Sequence, residues 1–439
     1  MRKINTFTEI KITMTEDFLH YIWKYKLLKG NLISCNGDLI EIIHQGYHNT
    51  DAGPDFFNAK VKINDTIWAG NIEIHINSSD WYVHNHQLDL SYDNVILHIV
   101  YSNNKLIFRQ NGEMIPQLEI KNNFDSELFL KYQDFITNKN WIPCEKIINN
   151  SSKFIIESWL ESLLIDRLER KTTEINSIFV RNNKNWEETF YQILAKNFGF
   201  KLNSSPFEYL SQSIPLSILA KHKNNEIQIS SLLFGQAGLL NQNFTDDYPL
   251  ILNKEYEFLR KKYNLNPIKG HLWKFLRLRP ANFPTIRISQ FSDLIYNSSH
   301  LFSKIIESET LIDLYNLFNI KAFSYFDNHY IFDEKLIIGK PKVFGKSATD
   351  LIIINTVVPI LFFYAQEKDD KKFQNRAFAF LEQIDAENNS TIKKWLNIGI
   401  KASNAYISQG LLELKNNYCD NKKCLQCRIG NELLKKINE

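Results

Sequence analysis

The sequence has almost no excess of charge. Lys and Arg number 52 against 49 Asp and Glu, a formal net charge of +3. A protein that coats nucleic acid non-specifically is usually more basic, so any such contact here needs a local patch. A long hydrophobic run is also lacking. The longest, "LIIINTVVPILFFYA" at 351–365, is interrupted by Asn355, Thr356 and Pro359. It falls short of the ~18 residues that span a bilayer and reads as a buried helix. "MRKINTFTEIKI" has basic residues but no apolar core of a secretory signal behind them. The expectation is a cytoplasmic protein with no membrane partner. Cysteine is scarce, with Cys35, Cys144, Cys419, Cys424 and Cys427 in 439 residues. An odd number with three clustered argues against a disulfide scaffold and towards a metal site. No internal repeat is visible. "LLFGQAGLL" at 232–240 has two glycines but no phosphate-loop pattern, and reads as helix packing.

What is present suggests two or three domains with bulky cores. The chain has 44% hydrophobic residues, with 31 Phe and 19 Tyr. Residues 1–120 read as α/β: a helix, three strands, a short helix and a strand. Thr13 and Glu16 have capping-box spacing ahead of "DFLHYIWKYKLL". "GDLIEIIHQG" is a strand. "FFNAKVKI" alternates, with Phe57, Ala59, Val61 and Ile63 on one face. Asn64-Asp65 turns the chain into "TIWAGNIEIHI", with Ile72, Ile74 and Ile76 inward. "SSDWYVHNH" begins with helix-cap residues, and "NVILHIVY" is an apolar strand. Residues 121–150 read as a connecting segment. From 151 to 439 apolar residues recur at helical spacing, giving a large, mainly α-helical region.

Chemistry concentrates in "AGPDFFNAKVKINDTIWAGNIEIHI" at 52–76. Glu73 and His75 are two apart and share one strand face. If the strands pair around Asn64-Asp65, Glu73 falls near Asp55. Two carboxylates so placed suit a hard dication such as Mg²⁺ or Mn²⁺, which holds a scissile phosphate and acidifies water. The element order, with Pro-Asp and then Glu-x-His, resembles the PD-(D/E)XK nuclease superfamily. That resemblance implies metal binding by Asp55 and Glu73, with His75 standing where a water-positioning Lys is usual. It also implies an acidic contribution from the first helix, for which Glu16 is the candidate. Over nearly the whole chain, "NTDAGPDFFNAKV", "GNIEIHINSSDW", "VILHIVY", "RLRPANFPTIR" and the final cysteines resemble an uncharacterised bacterial family known only as a domain of unknown function.

Six of the eleven histidines, His44, His48, His75, His84, His86 and His98, fall between 44 and 98. With Asp51, Asp55, Glu73 and Asp89, several could converge on one pocket. A His/carboxylate set suits Zn²⁺, Mn²⁺ or Fe²⁺ better than Mg²⁺. That opens a second reading, a metal-dependent hydrolase of a small substrate. A third is a non-catalytic nucleic-acid-binding or assembly module that keeps the fold. His98 sits within an apolar strand, where a histidine is more often a hydrogen-bonded core residue than a ligand.

"YCDNKKCLQCRIG" spaces Cys419, Cys424 and Cys427 as a knuckle for a soft metal. Cys144 is the leading fourth ligand, ahead of Cys35 and a histidine. Zn²⁺ or an Fe–S cluster would serve. Some nucleases of the resembled superfamily carry such a cluster on one distant and three C-terminal cysteines. In "KFLRLRPANFPTIR", Arg277, Arg279 and Arg287 are candidate phosphate contacts for DNA or RNA, although arginines capping a helix end and pairing locally explain them as well.

Overall fold

The computed structural model describes residues 14–436. The chain forms two compact units: Met1–Trp159 with Leu414–Glu439, and Leu160–Glu413. The first holds a mixed β-sheet, and the second is helical.

In the first unit, α1 (Glu16–Lys24) is capped by Thr15, whose hydroxyl accepts from the Phe18 N–H at 3.3 Å. Thr13 lies outside the described residues. The helix buries Phe18, Leu19, Ile22 and Trp23, and the Trp23 Nε1–H donates to the Gln45 carbonyl at 3.0 Å. These large apolar side chains at helical spacing seat α1 while Glu16 and His20 stay on its half-exposed side.

The sheet is built from β1 (Leu32–Ile33), β2 (Leu39–His44), β3 (Tyr47–His48), β4 (Phe56–Ile63), β5 (Thr66–Asn77), β6 (Val95–Ser102) and β7 (Gln117–Glu119). Its order is β1-β2-β4-β5-β6-β7, with β3 on β4. Five strands therefore precede the short helix α2 (Asp80–Val83), where the sequence suggests three. The extra two, β1 and β3, are two residues each, too short to show an alternation.

β4 and β5 form the expected antiparallel hairpin. Asn64 takes the left-handed φ of 52°, which Asn tolerates without a glycine. Ala59, Val61 and Ile63 are buried, but Phe56 replaces Phe57 in the inward set. A bulge is the reason. Pairing shifts between Phe56 and Ala59, and Asn58 adopts φ 57° with its N–H 3.3 Å from Asn71 Oδ1.

β5 pairs in parallel with β6, through α2 and two 3₁₀ turns at His86–Leu88 and Leu90–Tyr92. Parallel neighbours require such a crossover, and it carries His84 and His86 back towards the strand they left.

The helical unit has a single large core that includes Phe190, Tyr191, Phe198, Phe207, Phe234, Phe291 and Phe318, all almost fully buried. Among the described residues one helical stretch, Lys346–Lys368, is apolar and long enough to cross a membrane. Of its most apolar window 72% is buried inside the protein, as befits a core helix. A π-helical turn at Ile353–Val357 precedes Pro359 there, absorbing a residue with no partner N–H.

Candidate metal centre

Register brings Asp55 and Glu73 together. Phe56 pairs with Ile72, so Asp55, one residue before β4, lies beside Glu73. The Asp55 N–H donates to Glu73 Oε2 at 3.2 Å, and the Ile74 N–H donates to Asp55 Oδ2 at 2.8 Å. Each carboxylate is thus held by the other strand's backbone. His20, one helical turn after Glu16 on α1, brings Nε2 to 3.3 Å from Asp55 Oδ2. Among the described residues no Lys or Arg pairs with either carboxylate; their only ion-pair partners are imidazoles.

Five imidazoles gather here. Glu73 is the parallel register partner of His98. His75 Nδ1 lies 2.8 Å from His98 Nε2, and His75 Nε2 lies 3.0 Å from His84 Nδ1. His86 Nε2 is 3.2 Å from Glu73 Oε1, and His75 Nε2 is 3.5 Å from the same oxygen. The His86 ring stacks on Tyr92 with centroids 3.8 Å apart. Asn85, at φ 61°, reverses the backbone between His84 and His86 so that both rings turn towards His75. Ligand atoms of His75, His84 and His86 all lie within 4.8 Å of one another. His75 is buried and His84 exposed, so the cluster reaches from the sheet to solvent.

The electrostatics follow from burial without a strong cation. Burial lifts the Glu73 carboxyl well above the usual carboxylate range, and the Asp55 charge adds to the effect. Burial lowers His75 to about 3, with His86, His84 and His20 pushing the same way. His98, wholly enclosed, is held well below its ordinary value by burial and then by His75. Burial also lowers His86. Burial opposes protonation of His20 too, but the Asp55 hydrogen bond and charge outweigh it and raise that group. Glu16 is raised by burial and by Asp55, against the pull of His20. Burial thus disfavours the charged forms of His75, His86, His98 and Glu73 alike, a cost that a bound cation would offset at the carboxylate.

Among the sequence candidates, Asp55, Glu73, His75, His84, His86 and His98 come together, with Glu16 at the margin. Asp51 does not join them. It is exposed in the loop before β4, its N–H donating to Asn49 Oδ1. His20 was missed by sequence reasoning, although its four-residue spacing from Glu16 marks a shared helix face.

Four of the cysteines lie in the same unit and within electrostatic reach of one another, although among the described residues only the histidines are grouped with three ligand atoms within 4.8 Å. Cys419 feels Cys427, Cys144 and Cys424, and Cys144 feels Cys427 and Cys424. All four thiols are raised, first by burial; Cys424 reaches about 12. Cys35 is apart from them, exposed and beside Glu119 and Asn103.

The arginines lie in the helical unit. Arg277 and Arg279 are exposed, Arg277 with a φ of 64°. Arg287 is buried on the helix Pro284–Asn297 and does not share their surface. Its guanidinium lies over the Phe200 and Phe344 rings, at 4.6 and 4.8 Å, and donates to Gln290 Oε1 and Asn282 Oδ1. Those partners account for it as a packing residue.

No curated protein and no solved structure matches the chain. A family profile matches residues 16–390, which takes in both the sheet and most of the helical unit, and by that extent the chain belongs to the family described as Protein of unknown function (DUF2851).

Proposed function

We propose that the protein is a metal-dependent hydrolase that cleaves phosphodiesters, with DNA or RNA as its substrate class. The observation that carries this reading is the interlocked pair Asp55 and Glu73. Two carboxylates share a partly buried position with, among the described residues, no Lys or Arg paired to them. Burying such charge is costly unless a cation compensates it. The donor set therefore fits a dication, held by Asp55 and Glu73 with Glu16 and His20 near. Such an ion supplies Lewis acidity for a phosphoryl oxygen and lowers the pKa of a bound water. His75, neutral and braced by His98, faces the same space as an imidazole able to ligate or to accept the water's proton. The order α1, β2, β4, β5, α2, β6 supports the nuclease-like reading, since it retains the helix, three strands, helix and strand of the resembled superfamily. Cys144, Cys419, Cys424 and Cys427, which lie in one unit, would by residue type suit a structural Zn²⁺ or Fe–S cluster if drawn together around it.

The test is cleavage of supercoiled, linear and single-stranded DNA and of RNA, with Mg²⁺ or Mn²⁺, beside Asp55→Ala and Glu73→Ala. Metal-dependent cleavage abolished in both variants supports the reading. Nucleic-acid binding without cleavage, unchanged in the variants, would replace it with a binding module. Activity confined to small phosphoesters, again lost in both variants, would favour the small-substrate hydrolase that the histidine-rich donor set also suits.

A further inference from the structure

We infer that His75, His84 and His86, with Glu73, form an imidazole-weighted site for a transition-metal dication of the zinc class. The inference rests on the hydrolase reading only in placing a metal at Glu73, and it gives His75 the role of ligand.

The three histidines bring ligand atoms within 4.8 Å of one another, and Glu73 flanks two of them. A metal about 2.0–2.2 Å from each N or O donor sets neighbouring donors roughly 3.0–3.5 Å apart. The observed edges are 3.0 Å from His75 Nε2 to His84 Nδ1, 3.2 Å from His86 Nε2 to Glu73 Oε1 and 3.5 Å from His75 Nε2 to Glu73 Oε1. The three imidazoles therefore face one small volume, with the Glu73 oxygen against His75 and His86 at its edge.

Hydrogen bonding alone leaves that volume unexplained. His75 Nε2 faces both His84 Nδ1 and Glu73 Oε1, with one proton at most for the two. His86 Nε2 is buried and makes no well-formed hydrogen bond, despite its nearness to Glu73. A cation among the three imidazoles would satisfy their facing nitrogens at once, with Glu73 beside it to offset the charge. The remaining nitrogen of His75, Nδ1, then donates to His98 Nε2 at 2.8 Å, the outer bond by which a metal-binding histidine is usually oriented. His98 is thereby a positioning residue.

Ligand type sets the metal class. Imidazole nitrogens favour Zn²⁺ and its neighbours in the first transition row, whereas Mg²⁺ asks for oxygen donors and retained water. Exposed His84 leaves one side of the site open to solvent, as a site that receives a water or substrate needs.

The test counts metal on the full chain, independently of cleavage. Zn²⁺ is titrated into metal-stripped protein and quantified by mass spectrometry. The parents are the natural sequence and a variant with Cys144, Cys419, Cys424 and Cys427 all changed to Ser, which removes the thiolate site. His84→Ala/His86→Ala is expected to bind one Zn²⁺ fewer than its parent in both backgrounds. A large excess of Mg²⁺ should not displace that ion. His84→Ala alone, at an exposed position that should not affect folding, should weaken binding by about tenfold or more. Co²⁺ in the cysteine-depleted protein should give ligand-field bands without thiolate charge transfer. Equal Zn²⁺ stoichiometry in folded His84→Ala and its parent, at equal affinity, overturns the inference. So does cleavage supported by Mg²⁺ with no Zn²⁺ bound, which leaves the hydrolase reading standing. Zn²⁺ bound through these histidines without any cleavage supports the inference and removes that reading.

Discussion

Asp55 and Glu73 hold each other across the β4–β5 hairpin: the Asp55 N–H donates to the Glu73 carboxylate, and the Ile74 N–H, next along from Glu73, donates to the Asp55 carboxylate. This reciprocity separates shape from charge. Asp55→Asn keeps an oxygen for the Ile74 N–H and removes only the negative charge. The expected outcome is a melting temperature unchanged or slightly raised, since a carboxylate without a strong cation is relieved. Cleavage should fall by about 10²-fold or more, the scale of losing a group that acts in the transition state. Parallel melting curves and kcat/KM values check this; a large fall in stability would mean that the charge itself holds the fold.

The alignment of β5 with β6 depends on Gly70. A Cβ there would lie 2.6 Å from the Asn94 carbonyl oxygen and 2.4 Å from Ile96 Cγ2. The backbone oxygen cannot rotate away, so the strands must part just before the pairs that set Glu73 beside His98. Gly70→Ala should cost roughly 1–3 kcal/mol of unfolding free energy. It should also weaken metal binding at the histidines, although residue 70 touches none of them. Denaturant melts and Zn²⁺ titration of one preparation measure both effects.

Local pattern made much of this legible. Alternation and the Asn64-Asp65 turn are enough to pair β4 with β5 and so to bring Asp55 to Glu73. The bulge at Asn58 is another matter: it depends on one left-handed residue answering Asn71 across the sheet, which alternation does not encode, and Phe56 therefore takes the place assigned to Phe57. Histidine density pointed to His75, His84 and His86, but their convergence needs the parallel crossover and the reversal at Asn85. His20 lay one turn from Glu16 in plain view. Arg287 looked like its neighbours Arg277 and Arg279 because burial against Phe200 and Phe344 comes from distant chain.

The cysteines provide a comparison within one unit. Cys144, Cys419, Cys424 and Cys427 sense one another, whereas Cys35 is exposed and apart. If the cysteines hold the proposed structural metal, Cys424→Ala or Cys427→Ala should lower both metal content and melting temperature; Cys35→Ala should do neither. Strong chelation should mimic the first pair, because a structural metal contributes directly to folding. Elemental analysis and thermal melts of the three variants suffice, and equal melting of all three would remove the metal from the account.

A pH signature belongs to the helical unit. Lys171, on the helix Lys153–Arg181, is half-buried beside Asn355, whose Oδ1 accepts from its Nζ at 2.9 Å. Burial lowers its pKa from 10.5 to about 7, and Arg167 adds to the effect. The folded state thus binds this proton less readily than the unfolded chain does. Below about 7 both states carry the charge and the fold bears the full cost of burying it. As pH rises from about 7 towards 10.5 the folded state is neutral while the unfolded chain is still protonated, so stability grows by up to about 1.4 kcal/mol per pH unit. Lys171→Met removes that dependence. The difference in unfolding free energy between the natural chain and the variant should therefore shift in favour of the natural chain between pH 7.5 and 9.5. Denaturant titrations at those two values measure it, and an unchanged difference would mean that Lys171 stays charged in the fold through its contacts with Asn355 and the nearby Glu174 and Glu387.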